Sequence, residues 1–111
     1  MQSDKTDDTS TTTFDFGQGP VPAHRHANPD KSVGGWVADT ARVSDNAWVF
    51  GTARVFGTAR VSGHAWVSDN ARVFDNARVF GTAWVSDNAW VSGDAWVFGT
   101  ARVFGTARVS K

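Results

Sequence analysis

Three histidines and six tryptophans hold most of the chemical scope in this chain. His24 and His26 stand two apart in "AHRH". On an extended strand that spacing puts both imidazoles on one side, where they could share a metal ion. His64, in "VSGHAWV", is a third candidate for proton transfer near neutral pH. Cysteine is absent, which excludes disulfides, thiol nucleophiles and thiolate ligands. No Ser-His-Asp set, phosphate-cradling glycine loop or carboxylate pair accompanies the histidines. The expectation is no catalytic residue, no metal and no cofactor. The tryptophans follow another logic. Trp36, Trp48, Trp66, Trp84, Trp90 and Trp96 each precede a valine, and all but Trp36 follow an alanine. They belong to a repeating element.

That element is a hexad. Valine recurs every six residues from Val37 to Val109 without a slip, and alanine stands two residues before each valine except the first, where Gly35 stands. Arg or Trp sits before each valine, and Phe or Ser follows it, except that Ala38 follows Val37. A Gly-Thr, Asp-Asn, Gly-His or Gly-Asp pair usually completes the unit. A period of six rotates successive valines around an α-helix and forms no apolar stripe. On a strand, Ala and Val two apart share one side, and the residues between and after them point the other way. The closing pairs are turn formers. Each hexad therefore reads as a short strand plus a corner.

Three such units close a triangular coil of eighteen residues, and parallel pairing stacks the coils about 4.8 Å apart. The pattern resembles the left-handed parallel β-helix of the hexapeptide-repeat superfamily, in which an aliphatic residue and a small residue recur as Val and Ala do here. The left hand is implied by that resemblance alone. The opening "GPVPAHRHAN" and "GGWVADTA" are also similar to the lead-in of regular hexapeptide arrays from bacteria and phages. The expected fold is all-β: a left-handed parallel β-helix, or β-solenoid, of a little over four coils over residues 35–111. An N-terminal segment over residues 1–34 precedes it.

Residues eighteen apart should lie above one another. The predicted valine columns are Val37, Val55, Val73, Val91 and Val109 on one face; Val43, Val61, Val79 and Val97 on the second; and Val49, Val67, Val85 and Val103 on the third. The interior is too narrow for a ligand. Outside, Trp48, Trp66 and Trp84 form a column continued by Arg102, while Trp96 and Trp90 interrupt columns of arginine. Such ladders gain stacking and cation–π contacts. Stacked arginines would repel unless corner residues such as Asp45 or Asp75 screen them. Six Trp and six Phe should face outward, more apolar surface than a monomer usually leaves uncovered.

The pattern stops inside a hexad, at Val109 and the two residues after it. Solenoids cover their terminal coils because the last strands expose unpaired N–H and C=O groups. An uncovered last coil resembling the first predicts head-to-tail stacking into a filament, with the chain itself as partner, and the aromatic ladders offer lateral packing between solenoids. Phe14 and Phe16 alternate in "TSTTTFDFGQ", so a tail up to about Thr13 should lead into an extended strand. That strand either caps its own first coil or lies on a neighbour.

The predicted function is thus structural and non-enzymatic, a self-assembling homopolymer. Two alternatives stand beside it. The resemblance implies a trimeric acyltransferase-like protein, whose relatives carry a catalytic His near a loop that interrupts the coil; here no loop interrupts the array. A branch of the carbonic anhydrase type holds zinc through three His within the array, whereas His24 and His26 precede it. The other alternative is a carbohydrate-binding face on Trp48, Trp66 and Trp84. Net charge is zero, against a nucleic-acid partner. No apolar run is long enough for membrane insertion, and the start lacks the apolar core of a signal peptide. The compartment stays open.

Overall fold

The computed structural model describes residues 13–17, 19–44 and 46–110. The expected tail up to about Thr13, and Asp45, lie outside those residues. The described chain is all-β. A hairpin of β1 (Thr13–Asp15) and β2 (Pro20–Ala27) leads into β3 (Val33–Ala38). Twelve two-residue strands follow at six-residue intervals, beginning with β4 (Arg42–Val43), β5 (Trp48–Val49) and β6 (Arg54–Val55). The last three are β13 (Trp96–Val97), β14 (Arg102–Val103) and β15 (Arg108–Val109).

These strands wind into a β-solenoid of about four turns. Three parallel sheets form its faces, and their register is the valine register. Val37 pairs with Val55 and Val55 with Val73 on the first face. Val43 pairs with Val61 on the second, and Val49 with Val67 on the third. Strands are short because each ends at a corner, yet hydrogen bonding continues through the corners. Thr52 N–H donates to Asp69 O at 3.0 Å and Thr58 N–H to Asp75 O at 2.9 Å. This continuity leaves few backbone groups unpaired along the coil.

The core consists of Ala and Val. Nine valines from Val37 to Val91 are fully buried, and Ala47 to Ala89 are fully covered as well. Ala allows two backbones to approach at the narrow axis, while β-branched Val fills the rest of each triangle in few rotamers. Corners need backbone in the left-handed region. Gly supplies it at Gly57 (φ 70°) and Gly63 (φ 64°). Asp69, Asp75 and Asp87 take the same conformation at φ 59–60°. Asp tolerates that region better than most residues because its short polar side chain bonds locally. Here it bonds to the next coil instead: Asp75 Oδ2 accepts from Gly93 N–H and Asp87 Oδ2 from Gly105 N–H, both at 3.1 Å.

Candidate functional site: two end coils and the outer ladders

The leading segment lies on its own first coil. β2 pairs antiparallel with β3, Arg25 opposite Trp36 and His24 opposite Val37, and so covers the upper edge of the first face. A bulge between Arg25 and Ala27 changes which side chains turn inward. Ala23 and His26 are buried; His24 is exposed. The expected same-side histidine pair is therefore divided. His24 Nδ1 lies 2.9 Å from Asp39 Oδ1 on the surface. His26 Nε2 donates to Ala47 O at 2.8 Å in the interior.

Asn28 completes the cap. Its Nδ2 donates to Val49 O at 3.1 Å and its Oδ1 accepts from Val49 N–H at 2.9 Å. One side-chain amide thus does what a further strand would do for β5. At 6% and 3% exposure, His26 and Asn28 are the two buried polar residues of the described chain. Gly34 and Gly35 allow this close approach. A Cβ on Gly34 would fall on the carbonyl of Val49, and one on Gly35 on the carbonyl of Ala53. The first and third faces of the first coil are therefore covered, and the second, at β4, is not: Val43 is half-buried where the valines beneath it are buried.

At the other end, β13, β14 and β15 each pair on one side only among the described residues. Ala101 and Ala107 are exposed and Val109 is half-buried. Trp96, Phe98 and Phe104 surround this coil at 56%, 55% and 62% exposure. A shallow cavity of about 450 Å³ between Trp96, Phe98 and Val109 opens there.

Between the ends run the ladders. Trp48, Trp66 and Trp84 form the expected column, with centroids 5.6 and 4.8 Å apart, and Arg102 lies over Trp84 at 4.9 Å. Trp90 lies between Arg72 and Arg108, at 5.2 and 4.6 Å, and Arg78 sits over Trp96 at 5.4 Å. Aromatic rings thus receive these arginines, whereas Asp75 is tied to the coil below it. Phe14 and Phe16 join the ladders from the leading segment. Phe14 stacks on Trp36 at 4.7 Å beneath Arg54, and Phe16 on Phe56 at 4.9 Å. Within the column, Trp66 lies between Trp48 and Trp84, and Trp84 between Trp66 and Arg102. His64 is an exposed corner residue whose N–H donates to Gly81 O at 2.8 Å. Polar ladders line other corners: Thr52 bonds Asn70, and Asn70 bonds Asn88 at 3.3 Å.

The His26 and Asn28 cap and the left-handed Asp ties were not read from sequence. "ANPD" and the Gly34-Gly35 pair were the available signals: a turn, then backbone that must pass close to something.

A parallel stack of three-sided coils with an outer aromatic ladder defines the class, a β-solenoid. Within it, residues 71–87 match the family described as YdcK Beta solenoid repeat. That match spans about one coil and so speaks for the repeat unit. No curated protein and no solved structure matches the chain.

Proposed function

We propose that this chain is a non-enzymatic structural protein that associates with a second copy of itself through its last coil. The observation that carries the proposal is the apolar ring of Trp96, Phe98 and Phe104 around β13, β14 and β15, strands that each pair on one side only among the described residues. The first coil is covered on two faces by residues made for the purpose, and the last coil is ringed by Trp96, Phe98 and Phe104 with Ala101 and Ala107 exposed. Whatever lies against that coil must satisfy three strand edges and cover a ring of apolar side chains. A second last coil offers the same edges and the same ring. Such a pairing is isologous and closes as a dimer. The head-to-tail filament expected from the hexads needs an open first coil, and β2, His26 and Asn28 occupy most of it. A left hand for the solenoid is proposed on the hexapeptide resemblance.

Light scattering on the eluting protein tests the reading. The wild type should show twice the chain mass at micromolar concentration. A variant carrying Ala107→Asp and Phe104→Lys should show the chain mass with an unchanged β spectrum. A wild type that stays at the chain mass at all concentrations would end the proposal. Long threads in negative-stain images would replace the closed pair by the head-to-tail stack.

A further inference from the structure

A cleft of about 560 Å³ lies between the N-terminal hairpin and one corner of the solenoid. Its volume falls in the range of small-molecule sites. One wall is a stack of three rings, Phe16, Phe56 and Phe74, with successive centroids 4.9 Å apart and interplanar angles of 17° and 3°. The hairpin supplies the opposite wall through Val21 and Pro22. The floor is one corner column, Asp39, Gly57 and Asp75, each eighteen residues from the next.

That column contains a gap. Gly57 has no side chain, and a Cβ there would stand 2.9 Å from the backbone N of Asp75. Asp39 and Asp75 thus stand on either side of an indentation, with their backbones two strand spacings or roughly 9.6 Å apart along the column. Each is held by one oxygen. Asp39 Oδ1 meets His24 Nδ1 at 2.9 Å, and Asp75 Oδ2 accepts from Gly93 N–H at 3.1 Å. Neither Lys nor Arg lines the cleft among the described residues. The cleft is therefore apolar along its wall and negative along its floor.

The rings restrict the ligand further. Phe56 carries a ring on each of its faces, so the stack turns its edges sideways. Aromatic edges are electropositive and prefer the face of another aromatic ring, and they do not attract a cation. A positive group must be met by the carboxylates instead. We propose that this cleft is a binding site for an arylalkylammonium: a flat aromatic body against the Phe edges, with its ammonium group at Asp39 or Asp75. Neither part of such a ligand suffices. The charge alone would sit at exposed carboxylates in water, and the ring alone would leave both carboxylates facing an apolar body.

The test is an NMR titration of the full chain at low salt, following the amides of Thr40, Gly57 and Asp75. The probe is 2-phenylethylammonium; 2-phenylethanol lacks its charge and n-butylammonium lacks its ring. The probe should shift these amides saturably and bind at least tenfold more tightly than either comparator, and added salt should weaken the probe and leave 2-phenylethanol unaffected. The double variant Asp39→Asn, Asp75→Asn should remove most of the advantage over 2-phenylethanol. Asn keeps an acceptor for Gly93 N–H and tolerates the left-handed backbone at position 75. The Val85 amide reports whether the coil stays intact, and if the double variant disturbs it, the Asp75→Asn variant alone decides. Equal binding of 2-phenylethanol, non-saturable shifts, or an advantage that survives the substitutions would each overturn the proposal.

Discussion

The first coil and the last are made from the same hexad and end differently. At the first coil, residues outside the repeat supply a strand, an imidazole and an amide to the upper edges. At the last, the repeat's own Ala and Val meet solvent beside three exposed aromatic side chains. The hexad itself specifies stacking. Every unit presents one edge to the coil above and one to the coil below, so the repeat by itself has no reason to stop. Termination needs a polar side chain that imitates peptide groups, which Asn28 provides, and glycines that let it come close.

Alanine at glycines of the two end coils should have the largest effect. Gly35→Ala drives a Cβ into the carbonyl of Ala53, so backbone must move and the cap should detach. A loss of about 3 kcal/mol or more in urea unfolding is expected, in the range of severe single substitutions. Gly105→Ala meets nothing within 4 Å and suffers only its left-handed backbone, at φ 66°. That should cost about 1–2 kcal/mol. Equal costs would mean that the first coil is not held by close approach.

Asn28→Ala should come next. It leaves the N–H and C=O of Val49 buried without partners, at about 1–3 kcal/mol for each group. Hydrogen exchange should localise the damage, with the Val49 amide exchanging much faster and the Val85 amide unchanged. Valine truncation gives a smaller contrast. Val67→Ala, in a fully buried position, should cost roughly 2 kcal/mol, and Val109→Ala, half-buried in the last coil, under about 1 kcal/mol. If association covers the last coil, the Val109→Ala cost should rise with protein concentration.

The smallest effect concerns the turn that leads into the cap. Asp30 accepts hydrogen bonds from the Ser32 side chain and then from the Ser32 backbone N–H, which lower its pKa below the ordinary 3.8. A carboxyl group depressed in the folded state contributes stability above its unfolded pKa and loses it as pH falls through the folded value. Wild type should therefore exceed Asp30→Ala slightly in thermal midpoint at neutral pH, and the gap should close in strong acid.

Most of the solenoid was legible because its cause is local and repeated. Val and Ala two apart give the inward side, the six-residue period gives the corner, and eighteen residues give the column. The Trp48, Trp66 and Trp84 ladder and its continuation by Arg102 followed from the same arithmetic. The ends were not legible in this way. His24 and His26 share a side only if β2 is regular, and the bulge after Arg25 is set by how the strand must cross the first coil. Asp69, Asp75 and Asp87 read as turn formers, but their reach to N–H groups one coil below depends on a backbone conformation that spacing does not reveal. The cleft beside Phe56 depends on where the hairpin comes to rest, a packing outcome with no motif.

The corner bonds such as Asn70 to Asn88 have a final consequence. They require like residues at intervals of one turn, so inserting or deleting six residues would shift every ladder onto the wrong side of the triangle. Adding or removing a whole turn would keep the columns in register and leave the cap of β2, His26 and Asn28 untouched. The molecule is thus a ruler graduated in single notches of about 4.8 Å, and variants that differ by whole notches should fold as readily as this one.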